Sequence, residues 1–279
     1  MFITEIYQTV FVQQSKKLIY QRLIMAIESI QFQTGTNLVM ACHITGVYDV
    51  NRNMTLADDA YDLVKDWAES VAAANLQGVI FHNNFSDATC RSFENENIRF
   101  VKVAHDPQFN PNVFRYFVYR DFLQQHMEQI EGVFITDVTD VELMKNPFTD
   151  ALYLNNPTAL FCGDEPKTLH NDWMLAHSEN LRNNISDYAT YESTYATETL
   201  LNCGIIGGTS TLFLDFLEQL CAIHQHANRN NTTAYTGDMG AFNYLARTQF
   251  QQQVIHGAPV NTVFKAYEND RTDCWFRHK

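Results

Sequence analysis

The chain has 279 residues, 46% of them apolar, and carries 19 Lys and Arg against 32 Asp and Glu, a formal charge of −13. That length and apolar content suffice to bury one large α/β core. The acidity, and the lack of any basic cluster beyond Lys16-Lys17, exclude a hold on a nucleic acid polymer through phosphate neutralisation.

The opening Met1-Phe2-Ile3-Thr4-Glu5 lacks the basic and apolar regions of an export signal, so a cytoplasmic location is expected. The uncharged, apolar stretch 199–214 is broken by Asn202, Gly204, Gly207 and Gly208 and is too short and polar for a transmembrane segment. Six Cys without CxxC spacing read as reduced core thiols.

Short apolar runs alternate with segments of helical period, the pattern of an α/β fold with a mostly parallel central sheet flanked by helices. An amphipathic helix is expected near Lys17 to Ile30, then a strand Asn37 to His43 closed by Thr45-Gly46. A helix from Ala57 to Ala74 places Leu63, Val64, Trp67 and Val71 on one face. Strands follow at Gly78 to His82 and Ile98 to Val103. A helix from Val113 to His126 leads into a fourth strand, Val133 to Thr136.

Ala151 to Leu154 and Thr158 to Phe161 read as short strands, and Asn180 to Thr197, rich in Asn, Ser, Thr and Tyr without period, as an irregular loop. Helices are expected over Leu212 to His224 and Gly237 to Thr248, and a last short strand ends at Phe276. Without repeats or Pro/Gly-rich linkers, the chain reads as one domain, with a nucleotide-binding half at about 35–150 and an acceptor-side half at about 151–279.

The run Val133-Phe-Ile-Thr-Asp137-Val-Thr-Asp140 delivers two carboxylates to the edge where open α/β sheets bind ligands. Hard anionic oxygens held close together suit Mg²⁺ or Mn²⁺, and such an ion can bridge a nucleotide diphosphate. Asp is also common in turns, so a capping Asp137 and an exposed Asp140 are the competing explanation.

This region resembles the GT-A superfamily of glycosyltransferases, in which an Asp-x-Asp motif follows an apolar strand near mid-chain. Here the spacing is one residue longer, Asp137-Val-Thr-Asp140. The resemblance implies a metal held by Asp140 and by Asp137, which also stands where ribose is contacted. Thr45-Gly46, with Asp49 and Arg52 downstream, stand where these enzymes cradle base and ribose. Arg120 stands where family 8, which includes glycogenin, places a donor-contacting arginine, and its guanidinium fork suits phosphate. Asn202-Cys-Gly204-Ile-Ile-Gly207-Gly208 is similar to the segment that lines the sugar pocket, in family 6 among others.

Asp238 opens a helix where an acid commonly faces the acceptor, and it serves either as general base or as a sugar contact. A C-terminal histidine completes the metal shell in the superfamily. His278 is the first candidate and His256, in a His-Gly-x-Pro setting similar to family 8, the second. Lys279 or Arg277 would steady the leaving diphosphate. Each motif also has a plain structural reading, as turn, cap, solvated cation or core histidine.

From Asn37 onward the resemblance implies a GT-A-like, Rossmann-like domain that moves a sugar from a nucleoside-diphosphate sugar, UDP being the expected nucleotide. The acceptor is a saccharide or other hydroxyl compound, and Mn²⁺ or Mg²⁺ assists. Inversion and retention both stay open. The alternative is a carbohydrate- or nucleotide-binding protein of the same fold without turnover. A haloacid-dehalogenase-type phosphatase fits poorly, because its second acid stands two residues after the first.

Overall fold

Alternation along the first strand sorts the interior into two layers. In the computed structural model, which describes residues 30–49, 54–230 and 237–279, β1 (Thr36–His43) sends Leu38 and Met40 to one side of the sheet and Val39 and Ala41 to the other. Tyr48–Asp49 (β2) and Met54–Thr55 (β3) form a small antiparallel pair. The expected helix at Lys17 to Ile30, and Arg52, lie outside the described residues.

The main elements then run α1 (Lys65–Ala73), β4 (Gln77–His82), α2 (Asp87–Phe93), β5 (Ile98–Lys102), α3 (Pro111–His126), β6 (Ile130–Thr136) and β7 (Val141–Leu143). After these come α4 (Ala151–Leu154), β8 (Leu160–Thr168), α5 (Asp172–His177), α6 (Glu179–Asn184), α7 (Tyr188–Thr194) and β9 (Thr199–Thr209). The chain continues through α8 (Ser210–Ala227), α9 (Asp238–Gln249), β10 (Val254–His256) and β11 (Phe276–His278).

Seven strands form the central sheet in the order β10-β8-β9-β6-β1-β4-β5. The β10–β8, β6–β1, β1–β4 and β4–β5 pairs are parallel, and β9 runs antiparallel to both β6 and β8. Both halves expected from the sequence therefore contribute to one α/β sheet. On one side Met40, Phe81 and Ile135 pack with Tyr119 and Phe122 of α3 and Phe216 of α8. On the other, Val39, Ile80 and Phe134 pack with Trp67 of α1 and with Trp275. All six cysteines are free thiols, four of them buried. No helix of the described residues is long and apolar enough to cross a membrane.

Four expectations are corrected. The helix expected from Ala57 begins only at Lys65 after a 3₁₀ turn at Tyr61–Leu63, because Asp58 accepts from the Thr45 hydroxyl (2.8 Å) and Asp59 from the Ser86 amide (2.8 Å). Residues 151–154 form a helical turn rather than a strand, capped by the Asp150 carboxylate, which accepts from the Leu152 amide at 2.8 Å. The segment 180–197 is α6 and α7 rather than a loop. Its apolar anchors are tyrosines, and Tyr188 and Tyr191 pack on Tyr244 of α9. The glycine-containing stretch around Gly204 to Gly208 is neither loop nor turn but the middle of β9.

Buried imidazoles contribute to the acid sensitivity of the fold. Burial lowers His224, stacked on Tyr116, from the ordinary 6.5 to about 4, and burial together with nearby Lys102 does the same to His82. Their folded values lie below the unfolded one, so the unfolded chain binds more protons in that window and stability falls as pH drops from about 6.5 towards 4. Melting temperature followed across that range should decline steadily, and a His224→Phe variant, which keeps the stacking on Tyr116, should decline less.

Candidate metal centre

Strand pairing brings three ligand groups together from distant parts of the chain. Asp137 follows the last residue of β6, and Asp140 immediately precedes β7. The antiparallel pairing of β7 with β11 sets Val141 opposite His278, and the Lys279 amide donates to the Asp140 carbonyl at 2.8 Å. Asp137, Asp140 and His278 consequently each present one ligand atom, all within 4.8 Å of one another. The Asp-x-x-Asp spacing reaches from one strand end to the start of the next and still converges.

The pocket between these groups suits an ion. His278 is buried, its Nδ1 has no hydrogen-bond partner among the described residues, and burial depresses its pKa to about 4, which keeps the imidazole neutral and able to ligate. Gly204 lies across from Asp137, whose amide donates to its carbonyl at 2.8 Å. A Cβ at Gly204 would stand 2.7 Å from both Asp137 Oδ2 and His278 Cε1, so only glycine leaves the space open. The Asn202 side chain fixes this backbone by accepting from the Gly204 amide at 2.6 Å while donating to Glu165 at 2.9 Å.

The cluster opens into a cavity of about 740 Å³ at the carboxyl ends of β1 and β6. Its mouth has Ile44, Val47 and Tyr48 on the β1 side, and Glu165, Trp173 and Asp238 on the other. Ligand pockets commonly measure roughly 300–1,000 Å³. Lys265 and Tyr267 also line it, both at left-handed backbone angles (φ 60° and 50°), and the intervening geometry sets the Phe264 ring 4.4 Å from that of His278. Non-glycine residues hold such angles only where the surroundings enforce them. Lys265 Nζ lies 5.0 Å from the Phe264 ring centre, and among the described residues no carboxylate is paired with it.

Arg115 is the functional side chain that sequence reasoning missed. It enters from the first turn of α3, buried, and pairs with Asp137 while its Nη2 stands 3.8 Å from Asp238 Oδ2. Its Nε donates to the Asn112 carbonyl (3.0 Å), and Asn110 caps the helix beneath it by accepting from the Asn112 amide at 3.0 Å. The signal was present: Arg115, Val118, Tyr119 and Phe122 fall at i, i+3, i+4 and i+7, so the arginine lies on the buried stripe and requires a carboxylate partner.

Arg120, expected at the donor, lies on another face of α3. It pairs with Asp121 (2.6 Å), lies over the Phe117 ring and does not line the cavity.

The remaining site expectations divide. Asn202, Gly204 and Asp238 line the cavity. Gly207 and Gly208 do not: a Cβ on Gly207 would overlap the Phe134 ring, and one on Gly208 would come 2.8 Å from the Ala159 carbonyl, so both serve close packing within the sheet. Thr45 is tied into a polar turn by Asp58, Asn83 and Asn84, with Gly46 beside it at φ 74°. These two build the rim while their neighbours Ile44 and Val47 face the cavity. His256 is held by Asp164 at 2.9 Å on the sheet edge, outside the metal cluster. Arg277 pairs with Glu142 (2.9 Å), the Lys279 ammonium is shared by Asp66 (3.2 Å) and Glu142, and Lys167 stands 3.5 Å from Glu165, so among the described residues Lys265 is the cavity-lining cation without a paired carboxylate.

Comparison of the chain with protein-family models and with curated proteins finds no match.

Proposed function

We propose that this protein is a metal-dependent glycosyltransferase that takes a nucleoside-diphosphate sugar, UDP-linked in the first instance, and passes the sugar to a hydroxyl acceptor. The observation that carries the reading is the convergence of Asp137, Asp140 and His278 on one point beside a cavity at the carboxyl edge of the sheet. Two carboxylates with one imidazole suit Mn²⁺ better than Mg²⁺, which prefers an all-oxygen shell. A bound divalent ion supplies compensation for the negative charge that gathers on a departing diphosphate.

The chain's own residues account for the rest. Lys265, which has no carboxylate partner among the described residues of an acidic chain, lines the cavity where a diphosphate would lie. Gly204 and the backbone beside it allow close approach of a hydroxylated ring. Asp238 is placed to receive the acceptor hydroxyl, as proton acceptor if configuration inverts and as hydrogen-bond partner if it is retained. The buried guanidinium of Arg115 holds Asp137 and Asp238 at a set separation, linking donor and acceptor sides.

A second reading, a nucleotide-sugar binder without turnover, is favoured by the engagement of Asp137 with Arg115, which occupies one carboxylate oxygen. Incubation of the protein with UDP-sugars and Mn²⁺ separates the two. Transferase chemistry releases free UDP slowly even to water, whereas a binder shows Mn²⁺-dependent UDP affinity and no release. Absence of both would remove the nucleotide-sugar reading.

A further inference from the structure

The chain has three tryptophans, and two of them, Trp67 and Trp275, are core residues at 1% and 0% exposure. Trp173 is different. It stands 41% exposed where α5 borders the cavity, and its ring stacks on His177, one turn along the helix, with centroids 3.7 Å apart and planes within 20°. An indole left open is costly unless something covers it.

The helix that carries it is held firmly. Asn171 caps α5 by accepting from the Met174 amide at 3.0 Å. Gly240 lets α9 lie directly against its far end, since a Cβ there would come 2.6 Å from Ser178 Oγ. Asp238, the first residue of α9, is thereby set beside His177. From Asp238 the line continues to Arg115, 3.8 Å away, and through it to Asp137 of the metal cluster. Across one cavity the order is metal ligands, guanidinium, carboxylate, aromatic platform.

We propose that Trp173 is the platform of an acceptor subsite that takes a pyranose ring, its C–H face on the indole and one hydroxyl directed to Asp238. The match is chemical. A pyranose is apolar on the faces of its ring and polar around its edge, and the cavity offers one flat aromatic surface together with the polar side chains of Glu165, Lys167 and Asp238. The naming of this ring as acceptor rests on the glycosyl-transfer reading, whereas the stacking itself does not.

The test uses the methyl glycosides of glucose, galactose and N-acetylglucosamine as probes. Because the other two tryptophans are buried, acrylamide quenching of tryptophan fluorescence reports on Trp173. The proposal expects at least one glycoside to protect it saturably without UDP or Mn²⁺. By calorimetry, Trp173→Ala should weaken that glycoside about tenfold, the scale for losing one stacked ring, and Trp173→Phe should recover part of the loss. Mn²⁺-dependent UDP binding should be unchanged in both variants, which also shows that they fold. The proposal is overturned if no glycoside alters quenching, if UDP with Mn²⁺ gives the protection instead, or if Trp173→Ala binds the glycoside as wild type does. Glycoside protection in a protein that fails to bind UDP would sink the transfer reading alone; UDP binding with no glycoside effect would sink the subsite alone.

Discussion

Asp140→Ala is expected to abolish Mn²⁺-dependent UDP binding and to lower transfer on the order of 10³-fold, the scale of losing metal charge compensation in the transition state. Two ligand groups, Asp137 and His278, would remain of the three that converge. The fold should survive, because the variant keeps the backbone contact at this position: the Asp140 carbonyl accepts from the Lys279 amide at 2.8 Å. Removing one of two carboxylates packed this closely also relieves repulsion. Calorimetric titration of UDP in the presence and absence of Mn²⁺, together with a melting curve, checks both halves. Unchanged UDP affinity with Mn²⁺ would contradict the ligand assignment.

Arg115→Ala should be the most destabilising substitution at the site, by about 3 to 5 kcal/mol, the usual cost of taking one partner from a buried ion pair. The Arg115 and Asp238 side chains are each only 10% exposed, and without the guanidinium the Asp238 carboxylate loses a cation 3.8 Å away. The deficit should shrink on mild acidification, because a carboxylate stripped of its cation is protonated more readily in the folded state. Mn²⁺ should also reduce it by supplying positive charge to Asp137. Arg115→Lys should recover little, since one ammonium cannot serve two carboxylates as a planar fork does. Urea unfolding at two pH values measures these effects, and a deficit below about 1 kcal/mol would show that the arginine is not the cation that holds the site together.

Elements with a clear apolar period were legible from sequence. Alternation at Leu38 to Ala41 and the run ending at Thr136 marked two adjacent strands of the sheet, and Trp67 with Val71 marked the buried face of α1. The stretch Asn180 to Thr197 was not legible, because beyond Leu181 its buried side chains are Tyr188 and Tyr191, whose hydroxyls make the segment look polar. The eleven residues of β9 were obscured by Gly204, Gly207 and Gly208. Glycine weakens a strand prediction, yet here each position lacks a Cβ because a neighbour occupies that space.

At the site, Asp137, Asp140 and His278 were found because residue chemistry and chain order both pointed to them. The sequence ranks His278 ahead of His256, and the pairing of β11 with β7, between residues more than a hundred positions apart, is what brings it to the two aspartates. Arg120 was named from its position in a motif, whereas helical phase places Arg115 on the buried stripe. Trp173 carried no sequence signal, since an isolated tryptophan is usually core and only its exposure beside a cavity makes it different.

The central claim is that one divalent cation is held by Asp137, Asp140 and His278. Crystals grown with UDP and Mn²⁺, with diffraction recorded on both sides of the manganese absorption edge, test it most directly. The account predicts a single strong anomalous peak within coordinating distance of all three side chains and continuous with the UDP phosphates. A cavity holding UDP with no anomalous peak among those residues, or manganese bound elsewhere on the protein, would contradict it.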